Sequence, residues 1–174
     1  AKNGAAKYAG VTTAVPPRRD QQKVPHLRSV PPTRGAYGAL SKRVKAIYED
    51  YTDQVESFGI DECYLDVTGS THLFGSGEEI AHALRHRVRQ EVGLTISVGV
   101  SFNKVFAKLG SDMKKPDAVT TIPREAFKEK IWHLPCGEML GIGPRTAQRL
   151  GEYGITTIGD VARAEERVLE NLLG

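Results

Sequence analysis

The stretch Val55-Glu56-Ser57-Phe58-Gly59-Ile60-Asp61-Glu62-Cys63-Tyr64-Leu65-Asp66-Val67-Thr68 decides how this chain folds. Aromatic and β-branched residues on both sides of its middle favour extended backbone, and Gly59 gives the chain room to bend. Asp61 and Glu62 are poor strand formers set between two apolar runs, so the spacing predicts a hairpin with the two acids at its tip. Neighbours on a pleated strand point to opposite faces, whereas at a tip both carboxylates can turn toward one cation. A bare Asp-Glu pair also suits a solvated turn, so its neighbours have to decide between the two.

Working outward, Leu40, Val44, Ile47, Tyr48 and Tyr51 recur at helical spacing, which predicts an amphipathic helix over about 37–51. Beyond the hairpin, Ser70–Gly77 reads as a loop. A second helix follows over about 78–92, with Ile80, Leu84 and Val88 as its buried stripe. His82 and His86 lie off that stripe with no acidic or cysteine partner at a ligating spacing, so they read as solvated. The strict alternation of Leu94-Thr95-Ile96-Ser97-Val98-Gly99-Val100 predicts a strand with one face in the core. Ser101 is placed to cap a helix over about 103–114 that turns Val105, Phe106, Leu109 and Met113 inward, with Lys104 and Lys108 one turn apart on the other side. Lys115-Pro116 ends it, because proline disfavours helix in the preceding residue. Ala118–Ile122 is a further short strand.

The order helix, strand, strand, helix, strand over 37–100 predicts an α+β fold: a ferredoxin-like βαββαβ unit lacking its first strand. Such a sheet packs both helices on one face and leaves the other free for a substrate. From Pro123 the texture changes to short helices punctuated by glycine, which predicts a small helical domain over 123–174. Residues 1–35 hold five of the nine prolines and only a short helix near Asn3–Ala9.

Composition narrows the function classes. The chain has 174 residues, 40% of them apolar, enough for one or two packed domains. Its net charge of +3 is uneven: residues 1–35 carry seven Lys or Arg against Asp20 alone, whereas 36–122 carry ten against twelve and 123–174 seven against eight. The N-terminal arm, with Arg18, Arg19 and Lys23, is therefore the candidate to face phosphates. Cys63 and Cys136 make no metal or disulfide pattern. No apolar run approaches membrane-spanning length and no signal peptide is visible, so no membrane partner and a reducing cytoplasm are expected.

Two motifs together point to a family. Gly59–Thr68 resembles the central palm motif of the Y-family (translesion) DNA polymerases, and Val98-Gly99-Val100-Ser101-Phe102-Asn103-Lys104-Val105-Phe106-Ala107-Lys108-Leu109-Gly110-Ser111-Asp112-Met113-Lys114-Lys115-Pro116 resembles its second palm signature. The spacing between them also matches. Ala9-Gly10-Val11 to Pro16 is similar to the family's fingers segment, and the bacterial polymerase IV group is the nearest in style. The resemblance implies partial fingers over 1–35, a palm over 36–122 and a thumb over 123–174. In the thumb, Met139-Leu140-Gly141-Ile142-Gly143-Pro144-Arg145 resembles a helix-hairpin-helix turn. Glycines there let backbone approach a phosphate, and the helix N-terminus offers free N–H groups to it. Packing of Ile142 against Leu150 in a plain helical core is the competing reading of the same turn.

The resemblance implies template-directed DNA synthesis across damaged bases by nucleotidyl transfer with two Mg²⁺ ions, primer-template DNA and deoxynucleoside triphosphates as partners, and possible contact with a sliding clamp through a region outside this chain. Asp61 and Glu62 would ligate the metals, Lys115 and Lys7 would contact the triphosphate, and Gly141, Gly143, Arg145, Lys104 and Lys108 would contact DNA. Asp66 reads as structural. The chain departs from the pattern in four places. Gly59 replaces a frequent serine, Gly4 falls where a tyrosine is expected, and Lys7 stands where arginine is common. The strand bearing the first metal aspartate and the residue that excludes ribonucleotides is missing. The 174-residue piece is therefore expected not to polymerise. A non-catalytic DNA-binding protein keeping the fold is the alternative. A palm-like nucleotide cyclase is a third reading, opposed by the helix-hairpin-helix turn and the Lys115-Pro116 ending.

Overall fold

The structure, a computed structural model, describes residues 2–12, 15–33 and 35–174. The backbone divides into two compact units, residues 1–37 and 38–174.

In the first unit, helix α1 (Gly4–Tyr8) starts where the Asn3 side chain accepts a hydrogen bond from the Ala6 N–H, and α2 (Pro17–Lys23) starts with proline at its first turn, where no N–H is needed. Arg18, Arg19 and Lys23 are exposed on α2, and Asp20 is its buried side chain. Thr13 and Ala14 of the fingers-like segment and Arg34 of the basic arm lie outside the described residues.

The second unit holds α3 (Ala36–Glu49) from its third residue onward, β1 (Val55–Ser57), β2 (Cys63–Leu65), a 3₁₀ turn over Thr68–Ser70, α4 (Thr71–Phe74), α5 (Gly77–Val92), β3 (Val98–Ser101), α6 (Lys104–Met113) and β4 (Val119–Ile122). It continues with α7 (Phe127–Ile131), a 3₁₀ turn over Cys136–Glu138, α8 (Pro144–Gly151), α9 (Ile158–Arg163) and α10 (Glu166–Leu173). Ile47 from α3 and Ile80, Leu84 and Val88 from α5 form one buried cluster, with Leu65, Val67 and Ile96 packed on it. Each fully buried aliphatic side chain of this kind contributes roughly 1.5–3 kcal/mol. The two long helices thus cover the same side of the hairpin, as the pattern predicts. Helix α5 begins with a capping box in which Ser76 and Glu79 satisfy each other's backbone N–H groups, and ends at Gly93 in the left-handed region.

The sheet departs from a single βαββαβ surface. Strand β1 pairs antiparallel with β2, with Val55 opposite Leu65, and β3 pairs parallel with β4, with Val98 opposite Val119. Among the described residues no ladder joins β2 to β3. The strand expected from Leu94 begins only at Val98, because 94–97 has no neighbouring strand to hydrogen-bond with, and all four residues of β3 are half-buried on both faces.

Smaller expectations change too. The 70–77 loop contains α4. Asn103, not Ser101, caps α6, its Oδ1 accepting from the Phe106 N–H at 2.8 Å, while the Ser101 hydroxyl donates to the Ile122 carbonyl at 2.7 Å. Val105 and Met113 are exposed; Leu109 and Gly110 are the buried residues of α6. The helix is drawn so close to β3 that a Cβ at Gly99 would sit 1.8 Å from the Ala107 carbonyl oxygen. A further cluster, Leu109, Ile122, Ile131 and Ile158, continues into 123–174, with Trp132 and Leu134 packed against it.

Candidate active site

The carboxylate pair lies where the sequence predicts. Phe58 N–H donates to the Glu62 carbonyl at 2.8 Å and closes the tip, and Gly59 takes φ +85°, a backbone conformation costly for other residues. Helix α3 holds the tip from behind: Lys45 Nζ donates to the Gly59 carbonyl at 3.0 Å, and the Ser41 hydroxyl donates to the Ile60 carbonyl. Sequence reading left these two props unassigned. Their signal was only that Ser41 and Lys45 lie four residues apart on one helix face. Asp61 is exposed and Glu62 half-buried.

Asp66 does not join the pair. Its carboxylate accepts the Thr68 N–H at 2.9 Å, and hydrogen bonds from the Thr68 side chain and backbone hold its pKa below the usual carboxylate range. Its carbonyl accepts the Thr52 hydroxyl at 2.6 Å. It ties the end of β2 to the following turn, in line with the structural reading.

Asp61, Glu62, Lys104, Lys108 and Lys115 line one cleft of about 640 Å³, bounded by β2 on one side and β3 with α6 on the other, and floored by Ile80, Ala81 and Leu84 of α5. Four charges run in a row from the hairpin along α6 and just past its end. Lys108 Nζ lies 2.7 Å from Glu62 Oε1 and 2.9 Å from Asp112 Oδ2, and Lys115 Nζ lies 2.7 Å from Asp112 Oδ1. Partial burial works against the Lys108 ammonium, but the hydrogen bonds to Glu62 and Asp112 outweigh it and hold its pKa above the ordinary lysine value. Burial likewise works against the Asp112 carboxylate, and its two lysines overcome that and hold it below the usual range. Lys104 pairs with Glu56 and stands 5.6 Å from the Tyr64 ring. Lys104 and Lys108 are therefore not a bare basic face of the helix; both reach across to the hairpin. Burial also raises the Tyr48 hydroxyl, on the floor of the same cleft, to about 12, with Cys63 adding to the shift.

Mg²⁺ is normally held by one or two carboxylates completed by substrate phosphates and water. Asp61 and Glu62 supply that oxygen donor set. Among the described residues no three His, Cys, Asp or Glu side chains gather to hold an ion unaided.

The remaining candidates lie elsewhere. Gly141 takes φ +90°, and Gly143 precedes Pro144 at the start of α8 with Arg145 exposed. Ile142 packs beside the cluster of Cys136, Leu150, Ile155 and Leu172, so the turn is anchored in a core while its glycines stay exposed. Lys7 is exposed on α1 in the first unit.

The fold that positions these residues matches solved polymerases. An insertion ternary complex of Dbh DNA polymerase matches with TM-score 0.89 and 31% identity over 99% of this chain and 50% of that one. A Y-family DNA polymerase chimera and the DinB of Sulfolobus solfataricus match equally well, each with TM-score 0.89 and 31% identity. The fold is thus the α+β fold of Y-family polymerases.

The impB/mucB/samB family model matches residues 1–112, and the IMS family HHH motif matches 124–155, a span that includes the turn at Gly141 and Gly143. The chain belongs to the impB/mucB/samB family. DNA polymerase IV of Acetivibrio thermocellus is 51% identical over 174 residues, 100% of this chain and 44% of that protein, and DNA polymerase IV of Bacillus velezensis is 40% identical over 169 residues, 97% and 41%. The chain spans less than half the length of these relatives.

Proposed function

We propose that the protein containing this chain extends a DNA primer against a template, including across damaged bases, by two-metal nucleotidyl transfer. The carrying observation is that Asp61, Glu62 and Lys115 line one cleft in a chain of this family. Two Mg²⁺ ions, when bound, would activate the primer 3′-hydroxyl and stabilise the pyrophosphate leaving group. Asp61, exposed at the hairpin tip, and Glu62 beside it would hold the ions. Lys115 contacts the triphosphate as a point charge. Lys7 takes a second triphosphate contact. Lys108 neutralises Glu62 until the substrates arrive.

Gly141, Gly143 and Arg145 hold the duplex through its phosphates, with N–H groups at the start of α8 and no reading of sequence. Lys104 supports the nucleic-acid backbone beside the cleft. In this reading residues 1–35 are partial fingers, 36–122 the palm and 123–174 the thumb. Primer-template DNA and deoxynucleoside triphosphates are the partners, and contact with a sliding clamp through a region outside this chain belongs to the same proposal, as does a cytoplasmic location. Among the described residues no helix is long and apolar enough to cross a membrane.

Of the four carboxylates that line the cleft, Asp66 is held by Thr68 and Asp117 by Arg85 and Arg89, which leaves Asp61 and Glu62 to fix two divalent ions, and the 174-residue chain alone is expected not to extend a primer. In the full-length protein, Asp61→Ala is expected to abolish extension in a gel assay while DNA affinity changes less than about twofold, because phosphate contacts elsewhere carry most of the binding. Extension by that variant at the wild-type rate would remove Asp61 from the chemistry. Wild-type binding of primer-template without any extension would instead favour a non-catalytic DNA-binding protein.

A further inference from the structure

The row Glu62–Lys108–Asp112–Lys115 joins a proposed metal ligand to a proposed triphosphate contact, and Asp112 within it has no assigned task. Asp112 spends one oxygen on each lysine, Oδ1 on Lys115 and Oδ2 on Lys108. Exposure rises from Lys108 toward Lys115: the Lys108 side chain is 14% exposed, Asp112 41% and Lys115 56%, with Glu62 on the other side of Lys108 at 37%. The outer bridge is therefore the more screened and the more easily exchanged, whereas Lys108 is held between two carboxylates.

We propose that Asp112 is a positioning residue that couples triphosphate binding at Lys115 to the release of Glu62 for a divalent ion. A triphosphate carries more negative charge than one carboxylate and takes Lys115 from Asp112. The full charge of Asp112 then falls on Lys108, which shifts from Glu62 toward Asp112. Glu62 is left with free oxygens. With no triphosphate present, Lys108 occupies Glu62 and keeps the acidic tip neutralised. Linkage makes the coupling reciprocal: an ion on Glu62 also sends Lys108 to Asp112 and frees Lys115. The inference rests on the polymerase reading and on no change of backbone.

The test uses the full-length protein on a primer-template with a dideoxy-terminated primer. Mn²⁺ is titrated by electron paramagnetic resonance with and without a deoxynucleoside triphosphate carrying exchange-inert Rh(III), so that Mn²⁺ reports the remaining ion site. The readout is the ratio of the two Mn²⁺ dissociation constants. Part of that ratio comes from direct attraction between ion and nucleotide. Asp112→Asn, a near-isosteric change on an exposed helix face, is expected to lower the ratio at least threefold, a moderate fraction of an ordinary coupling of about 5–150-fold. In a Lys108→Met background, Asp112→Asn is expected to change the ratio by less than about 1.5-fold, because the carrier of the coupling is gone.

An unchanged ratio in Asp112→Asn overturns the proposal, and so does an equally large effect of Asp112→Asn with or without Lys108. Primer extension by the wild type and its loss in Asp61→Ala are run alongside. Their failure strikes the polymerase reading, whereas an unchanged Mn²⁺ ratio in an active enzyme strikes the Asp112 coupling alone.

Discussion

Across the cleft, the β1–β2 hairpin and the β3–α6–β4 unit do opposite things with their side chains. The second is packed backbone to backbone: Gly99 and Gly110 let α6 lie directly on β3, with the Gly110 Cβ position 3.2 Å from the Gly99 Cα. The hairpin has three-residue strands and an exposed tip, propped by Ser41 and Lys45. The close-packed side carries the lysines and the propped side carries the acids. No ladder joins them among the described residues, so Lys104–Glu56 and Lys108–Glu62 are polar links across the gap. Steric fit holds one wall to its own helix, packing of Leu65 and Val67 with the Ser41 and Lys45 props holds the other, and exchangeable charge lies between them. That suits the change of partner proposed for Glu62.

The contrast can be broken from either side. Gly99→Ala is expected to cost the most, about 3 kcal/mol or more, since the new methyl meets backbone rather than a movable side chain. Urea denaturation of the chain would measure it, and a loss below about 1 kcal/mol would show that α6 can move away from β3.

Lys108→Met comes next, at about 1 kcal/mol after allowing for screening at the exposed carboxylates. Its pH dependence has a definite sign. Asp112 is depressed on folding, so its contribution is present above the ordinary Asp value of about 3.9 and is lost as pH falls through its lower folded value. Lys108 is raised on folding, so its contribution is present below the ordinary Lys value of about 10.4 and is lost as pH rises through its higher folded value. The gap between wild type and Lys108→Met should stay level from about pH 5 to 9 and narrow on both sides. A gap that changes steadily across neutral pH would contradict the ion-pair account. Lys104→Ala is the smallest effect, below about 0.5 kcal/mol and absent in 1 M salt, because the Lys104 and Glu56 side chains are 60% and 56% exposed.

The same two walls explain what could be read from sequence. The hairpin, its acidic tip, the helices on either side and the stripe Ile80, Leu84, Val88 follow from periodicity and turn chemistry, which are local. The glycine turn before α8 was legible for the same reason. The division of the sheet into two ladders was not, because Leu94–Ser97 alternates like a strand whether or not a partner lies beside it. Val105 and Met113 were placed inward by periodicity alone. Gly99 and Gly110 draw the buried face of α6 toward Leu109 and leave those two outside. Asn103 and Ser101 both have capping chemistry, and only the ladder with β4 shows that Ser101 is spent on Ile122. The links from Lys108 to Glu62 and from Lys104 to Glu56 span 46 and 48 residues, beyond any local signal.

The central claim is that the tip of this hairpin, and no other acidic patch, is where a divalent ion binds. Paramagnetic broadening of amide signals by substoichiometric Mn²⁺ tests it on the 174-residue chain itself. Broadening should centre on residues 59–63, extend to the facing part of α6, and disappear in the Asp61→Ala, Glu62→Gln double variant. Broadening centred instead on the acidic start of α10 at Glu165 and Glu166, or unchanged in the double variant, would contradict the account.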